Sequence, residues 1–484
     1  MLIERIYEWA RSQPTKTAII CDDIPISYAS FSRAIDRARS FLERHALPAN
    51  RTAIVLVNSP LDAWVLVLAL RSLGLNTICV NSLEWAASLQ LRQLACVVVT
   101  QCECKSRKLE AKTLAGTPVI VVPTVVDDTI LTGDVPVIQS NLSSFGGHLI
   151  WTSGSTGISK KLLLDSTHED RRNASWARTL SYSKGTISFG AAGLSSGVGF
   201  KSPSAVWHVG GCVVYDWGPD HLKRLFRHGV NSSMFTAPVL KDLVKSLDTS
   251  GPMDHDCELL IGAGFLSVAL AEQAISRVTK RLGITYGASE IGTPPLLSRF
   301  EATTDMHWLA AGDGRTVQIV DESGNECPEG ELRIPLTDID CNSYLDDQEA
   351  SAKLFRNGFF YPGDMAVRRS DGRIRILGRV DDVLNVQGKK YPVAPLEQAI
   401  QHHLGVDEVC LFSGLNIAGN EELGVAIQSG RQLSKPELAA VARGFPSFKR
   451  VRFTVMNEFP RTETGARKTR RSVLKKLLFG EVPP

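Results

Sequence analysis

Short apolar runs alternate with segments whose apolar residues recur at helical spacing, and this alternation limits the folds open to the chain. Leu2, Ile6, Trp9 and Ala10 share one helical face in a segment closed by Pro14. Phe31, Ile35, Ala38 and Phe41 mark a second amphipathic helix from about Tyr28 to His45. Ala53-Ile54-Val55-Leu56-Val57 reads as a buried strand, followed by a helix through Trp64 to Leu73 that Gly74 stops. Val97 to Val99 and Val119 to Val122 are further strands, the second bracketed by Pro118 and Pro123. Strands apolar on both faces need cover on both faces, so the pattern predicts a parallel sheet flanked by helices. The same rhythm runs through Ser232 to Leu247 and Ala269 to Leu282.

After about Asp313 the period changes. Val317 to Asp321, Gly330 to Ile334 and Arg373 to Leu377 alternate polar with apolar residues between glycine turns, as in a small antiparallel region. From Tyr391 the character is α+β, with a helix around Glu397 to His403 and strands at Glu408 to Phe412 and Ala426 to Gln428. Gly378-Arg379-Val380-Asp381-Asp382 reads as a linker, dividing residues 1–378 from a C-terminal domain of residues 379–484. The expected class is α/β. A large N-terminal domain of parallel-rich sheets, covered by helices and joined by a small β region, carries a smaller α+β C-terminal domain across a hinge.

Composition narrows the function. Apolar residues at 43% and charged residues at 22% fit a soluble globular protein, and a net charge of +3 speaks against nucleic acid as partner. The basic run Arg467-Lys468-Thr469-Arg470-Arg471 with Lys475-Lys476 reads as a solvated helix face. Cys102 and Cys104, the one close pair among the 10 cysteines, lack companions at metal-ligand spacing, so free thiols in a reducing compartment are expected. The charged start, Met1-Leu2-Ile3-Glu4-Arg5, does not resemble a signal peptide. The longest apolar run, Ala63 to Leu70, is too short to span a bilayer. No membrane span and a cytoplasmic location are the expectation.

The chemistry begins at Trp151-Thr152-Ser153-Gly154-Ser155-Thr156-Gly157-Ile158-Ser159-Lys160, just after the apolar Leu149-Ile150. Glycines let successive N–H groups face one anion, hydroxyls add donors, and Lys160 adds charge, so the natural guest is a phosphate chain. Ser159 before the lysine excludes a Walker A loop. Three later segments complete a nucleotide site. Ile284-Thr285-Tyr286-Gly287-Ala288-Ser289-Glu290 offers a ring, a turn, a hydroxyl and a carboxylate. Phe360-Tyr361-Pro362-Gly363-Asp364 ends in an acceptor suited to ribose hydroxyls, and Gly378-Arg379-Val380-Asp381 brings a cation to the proposed junction. Singly, Asp364 reads as a turn residue and Glu290 as a surface acid or cap; together and in this order they do not.

This order resembles the adenylate-forming superfamily of acyl-CoA synthetases, peptide-synthetase adenylation domains and firefly luciferase. Gly74, Phe235-Thr236-Ala237-Pro238 and Gly262-Ala263-Gly264 also fall where such proteins have counterparts. The resemblance implies that a carboxylic acid and MgATP give an acyl-adenylate and pyrophosphate. The C-terminal domain then rotates, and a thiol of coenzyme A or of an acyl carrier protein's phosphopantetheine takes the acyl group. It also implies roles for individual residues. Thr152, Ser153, Gly154, Ser155, Thr156, Gly157 and Lys160 resemble the loop that holds the phosphates. Tyr286 and Gly287, with Gly262, Ala263 and Gly264 opposite, resemble the adenine site. Ser289 keeps the hydroxyl of the usual threonine, Glu290 is similar to the magnesium ligand, and Asp364 and Arg379 resemble the ribose and phosphate contacts. Asp381 matches the hinge.

The chain departs from that pattern near its end. The family's motif Pro-Lys/Arg-Thr-x-Ser/Thr-Gly-Lys reads here Pro460-Arg461-Thr462-Glu463-Thr464-Gly465 and then Ala466. Ungapped, the catalytic lysine is missing. With Ala466-Arg467 as an insertion, Lys468 takes its place, and Arg470, Arg471 and Leu474 fall at fitting distances. Asn385 stands where many members have a lysine. Ser159-Lys160-Lys161 replaces Pro-Lys-Gly, a change expected only to alter loop stiffness. The stretch Ser188 to Gly197 that corresponds to the substrate pocket holds no carboxylate, so an acid without an α-amino group is expected. Two functions follow: an acid–thiol ligase, or a catalytically impaired nucleotide-binding homologue with a regulatory or binding role.

Overall fold

The computed structural model describes residues 1–107, 113–114, 116–124, 145–152, 160–216, 220–247, 256–386, 389–415, 421–446, 448, 450–461 and 469–480. Two large sheets dominate. In the nine-stranded sheet, Thr17–Cys21, Cys212–Tyr215, Ile187–Phe189, Ser232–Phe235, Glu258–Ile261 and Leu282–Tyr286 lie side by side and parallel. Its edges, Ile24–Ser27 on one side and Leu296–Phe300 with Ala310–Ala311 on the other, are antiparallel. In the seven-stranded sheet, Thr117–Val122, Leu94–Thr100, Thr52–Leu56, Asn76–Val80 and His148–Thr152 are parallel, and Lys160–Leu164 closes one edge antiparallel. The expected parallel-rich arrangement is what forms.

The helix Pro60–Ser72 lies between the sheets, touching strands of both. Ser59 caps it by accepting the Asp62 N–H at 3.3 Å, Pro60 fits the first turn, and Gly74, with φ +80, ends it. Every residue from Leu61 to Ser72 is buried, which is why the segment is apolar all round rather than striped. Its Trp64 donates to the Tyr215 hydroxyl at 2.6 Å and stacks on Phe200 with ring centroids 5.3 Å apart. At its C-terminal end Arg71 meets Glu169 at 2.7 Å, both side chains at 0% exposure. Arg71 Nε also donates to the Gly146 carbonyl at 2.8 Å, and Glu169 accepts the Leu2 N–H at 2.9 Å. Burial pulls the Glu169 pKa upward, but Arg71 and Arg172 outweigh it and the net shift is down.

Asn76–Val80 was not legible as a strand because it opens with polar residues. Both have partners: Asn76 Oδ1 accepts the Gly147 N–H at 2.8 Å, and Thr77 bonds His148 Nδ1 at 2.8 Å. His148 Nε2 faces the Leu194 carbonyl at 2.9 Å, so Nε2 carries the proton and Nδ1 accepts from Thr77. Burial pushes the His148 pKa down to about 3, leaving a neutral ring stacked on Phe200.

The alternating region after residue 313 is a six-stranded antiparallel sheet that includes Glu329–Pro335, Asp364–Arg368 and Ile374–Arg379. Gly378 and Arg379, read from sequence as linker, are the last residues of a paired strand. Beyond them a smaller sheet of Glu408–Leu415, Glu421–Gln428 and Val451–Met456 packs with the helices Val393–Leu404, Lys435–Arg443 and Arg471–Phe479. Among the described residues, its buried apolar clusters draw only on residues from Leu384 to Leu478. Lys241 reaches across to Asp407 at 2.7 Å, and Arg375 to Gln398 at 2.9 Å. Among the described residues no helix is long and apolar enough to cross a membrane.

Arg71→Met strands a buried carboxylate. It is expected to cost about 3–5 kcal/mol of unfolding free energy in urea, with much of the loss recovered by Arg71→Met/Glu169→Leu. A loss below about 1 kcal/mol would show that the pair does not anchor the inter-sheet helix.

Candidate active site

Strand register builds the first cluster. Asp364–Arg368 pairs antiparallel with Ile374–Arg379, which sets Asp364 opposite Arg379. Gly363 turns the chain into this strand at φ +75, and a Cβ there would stand 3.0 Å from the Arg379 guanidinium. Arg379 Nη1 donates to Asp364 Oδ1 at 3.2 Å and to the Pro362 carbonyl. Tyr286, at the carboxyl end of Leu282–Tyr286, donates its hydroxyl to Asp364 Oδ2 at 2.5 Å. Burial and the adjacent Asp364 carboxylate hold the Tyr286 pKa well above its ordinary value, so the phenol remains a donor.

The neighbouring parallel strand, Glu258–Ile261, leads into Gly262, Ala263 and Gly264. A Cβ on Gly262 would come within 2.8 Å of Thr285 Oγ1, while one on Gly264 would meet nothing within 4 Å. Glycine is thus required at the first position by close approach, and the third opens outward. Ala263 takes φ +58, a left-handed backbone that a small side chain tolerates. Crevices beyond the carboxyl ends of parallel strands are where α/β folds bind ligands.

After Tyr286 and Gly287 the chain turns through Ser289 to Glu290, which is 7% exposed. The Tyr344 hydroxyl donates to Glu290 Oε1 at 2.6 Å, and the Cys341 N–H donates to the Glu290 carbonyl at 2.8 Å. Behind them Asp340 accepts the Gly292 N–H at 2.6 Å and is gripped by the buried Arg315. Lys201 donates to the carbonyls of Ser289 and Ile291 at 2.8 and 2.7 Å. Burial pushes the Lys201 ammonium down to about 8. Sequence reasoning missed Tyr344 and Lys201. Tyr344 gave no local signal; Lys201 did, as the lone cation in the small and apolar stretch Gly197 to Trp207.

Thr152 pairs directly with Lys160, so the two strands fix both ends of the glycine–hydroxyl loop. Ser153, Gly154, Ser155, Thr156 and Gly157 lie outside the described residues. Lys160 holds its ammonium 4.9 Å from the centre of the Tyr344 ring, which joins the loop to Glu290 through one side chain. Lys161 corrects an expectation. It is not a mere adjustment of loop stiffness but a buried anchor, donating to the Leu89 carbonyl at 2.9 Å and lying 3.6 Å from Asp346.

The stretch expected to shape the acid pocket runs from the strand Ile187–Phe189 through a loop to the Ser196 cap of the helix Gly197–His208. A cleft of about 280 Å³ there is lined by Phe189, Ala191, Gly193, His221 and Val239, without a carboxylate. A cleft of about 370 Å³ beside Ala310–Ala311 is lined by none of these groups, and its Arg178 and Arg299 already pair with Asp313 and Glu258. Asp23, Asp216 and His228 approach within metal-ligand range, but Arg224 takes both oxygens of Asp216 and Arg227 both of Asp23.

Lys468 also lies outside the described residues. The ends of its segment are held: Arg461 and Thr469 form a bridge, and both bind Glu408. The basic run is not uniformly solvated as expected, because Arg471 donates to Glu397 at 2.9 Å and to the Leu411 carbonyl at 3.0 Å. Asp381 is exposed just beyond the strand that carries Arg379.

Comparison with known proteins identifies the fold and the family. Pseudomonine synthase PmsE of Pseudomonas entomophila (strain L48) is 25% identical over 469 residues, covering 87% of this chain and 73% of its own. O-succinylbenzoate coenzyme A synthetase from Bacillus subtilis, solved with AMP, superposes with a TM-score of 0.79 at 19% identity and covers 99% of both chains. The same enzyme has been solved with ATP and magnesium. The anthranilate CoA ligase AuaEII, in complex with anthranoyl-AMP, superposes at 0.82 with 17% identity, covering 99% of this chain and 97% of its own. At such identities the structures establish the fold. The sequence pattern described as AMP-binding enzyme matches residues 6–334, and the chain belongs to that family.

Proposed function

We propose that this protein activates a carboxylic acid with ATP and Mg2+ and passes the acyl group to a thiol of coenzyme A or of a carrier-protein phosphopantetheine. In the first half-reaction a carboxylate oxygen attacks the α-phosphorus and pyrophosphate leaves. In the second the thiolate attacks the acyl carbon and AMP leaves. The observation that carries this reading is that one short loop, residues 286–290, joins two groups. Tyr286 reaches Asp364 and Arg379, while Glu290 reaches Tyr344 and, through its ring, Lys160.

The donor set suits the nucleotide. Glu290 forms no ion pair with a lysine, arginine or histidine among the described residues, which leaves a hard oxygen ligand for a hard cation. Magnesium, when bound, offsets phosphate charge. Asp364 and Arg379 would hold the ribose. Gly262, Ala263, Gly264, Tyr286 and Gly287 would border the adenine. Ser289, Thr152, Lys160 and the loop from Ser153 to Gly157 would face the phosphates. The carboxylate-free cleft beside Phe189 and His221 suits an acid without an α-amino group. We further propose that residues 1–378 and 379–484 are separate domains that turn about Asp381. The ten cysteines, none of them in a disulfide, suit a reducing, cytoplasmic setting. The competing reading, an impaired nucleotide-binding homologue, draws on Ala466 in place of the motif's lysine.

Asp364→Ala is expected to weaken ATP binding by about 1.5–3 kcal/mol without unfolding the protein, through loss of charge-assisted hydrogen bonds. Unchanged affinity by calorimetry would remove Asp364 from the site. Glu290→Gln is expected to lower acid-dependent pyrophosphate release and raise the magnesium requirement, since an amide is the poorer ligand. Superimposable magnesium titrations would reassign Glu290 to a structural role. Lys468→Ala is expected to slow adenylation roughly a hundredfold while sparing thioester formation from pre-made acyl-adenylate, with Arg467→Ala mild. Full adenylation in both variants would reject the gapped alignment. A wild-type protein that binds ATP yet releases no pyrophosphate with any of a panel of carboxylic acids would favour the competing reading.

A further inference from the structure

Lys201 is the buried charge that the proposed reaction leaves unexplained. It sits one turn inside the helix Gly197–His208 and is 2% exposed. Gly197, four residues earlier on the same face, lies so close to the following loop that a Cβ there would stand 3.0 Å from Ser289 Oγ. This face of the helix is therefore pressed against the Ser289 turn, and the Lys201 side chain has nowhere else to go. Its ammonium donates to two carbonyls, Ser289 at 2.8 Å and Ile291 at 2.7 Å. Among the described residues Lys201 forms no ion pair with a carboxylate.

An ammonium buried against neutral carbonyls is costly, and a helix packing on a loop needs none. What the charge does here is specific. The two carbonyls belong to the residues immediately before and after Glu290, so one cation fixes the Ser289–Glu290 peptide unit and, one residue further on, the Ile291–Gly292 unit. The Glu290 carbonyl is fixed by the Cys341 N–H, and Oε1 by the Tyr344 hydroxyl. With the backbone held on both flanks and one oxygen occupied, the remaining freedom of the carboxylate is small.

We propose that Lys201 is a positioning residue for Glu290, holding the flanking carbonyls so that the carboxylate is set to receive the divalent cation that accompanies the nucleotide. The proposal rests on the reading of Glu290 as a magnesium ligand. Lys201 acts through the backbone and needs no contact with substrate.

The test uses Mn2+ as the probe. The full chain is titrated with Mn2+ in the presence of α,β-methylene-ATP, and free Mn2+ is read by electron paramagnetic resonance. Nucleotide affinity without metal is measured in parallel. Lys201→Met, similar in length but without donors, is expected to weaken Mn2+ binding about tenfold and to leave metal-free nucleotide affinity unchanged, as outer-shell losses around metal ligands do. Lys201→Gln keeps an N–H donor without the charge and is expected to fall between. If Lys201→Met does not fold, Lys201→Gln carries the test. Wild-type Mn2+ affinity in a folded Lys201 variant, alongside weakened affinity in Glu290→Gln, would overturn the positioning role alone. Wild-type Mn2+ affinity in Glu290→Gln would instead overturn the reading of Glu290 and the proposal with it.

Discussion

The buried pair of Arg71 and Glu169 ties together four separate chain segments. Arg71 belongs to the helix between the sheets, and Glu169 opens the helix Glu169–Thr179. The same two side chains hold the Leu2 N–H at the start of the chain and the Gly146 carbonyl two residues before the strand His148–Thr152. That strand carries Thr152 to the glycine–hydroxyl loop. A charge pair in the middle of an apolar layer contributes little net stability, yet removing one partner is severe. Its value is positional: the chain start, the inter-sheet helix and the approach to the loop cannot shift independently.

The two carboxylates of the site share a device. Asp364 and Glu290 each accept a hydrogen bond from a tyrosine hydroxyl, Tyr286 at 2.5 Å and Tyr344 at 2.6 Å. For both tyrosines burial, and then the carboxylate itself, raises the phenol pKa, so each remains a neutral donor. A phenol orients a carboxylate without cancelling its charge, whereas an arginine cancels it. Asp364 also has the Arg379 guanidinium, 3.2 Å from Oδ1, to offset its charge. Glu290 has only neutral side-chain partners among the described residues and keeps its attraction for a cation.

Much of the scaffold was legible because apolar runs with helical or continuous spacing report burial directly. The apolar runs Ala53 to Val57, Val97 to Val99 and Trp64 to Leu73 fall on the strands Thr52–Leu56 and Leu94–Thr100 and the inter-sheet helix. The hidden elements have physical reasons. Asn76–Val80 opens with polar residues that serve as partners to Gly147 and His148, and Ile187–Phe189 is too short to show a period. At the site, the segments around Glu290, Asp364 and Arg379 were readable as motifs because each carries its turn and its charge together. Tyr344, Lys161 and Lys201 were not, since each matters through a contact distant in sequence: Lys201 is 88 residues from Ser289.

The contact between Lys241 and Asp407 has a consequence of its own. Among the described residues, the C-terminal sheet carries buried apolar clusters that recruit nothing from before Leu384, while this partly exposed ion pair spans to the helix Ala237–Ser246. A bond of that kind is worth at most about 1 kcal/mol and weakens as salt shortens the reach of charge, to about 8 Å at physiological ionic strength. The fastening of the smaller unit at this point is therefore set by the ionic medium as much as by the protein. Rising salt loosens it while leaving each unit's apolar core intact.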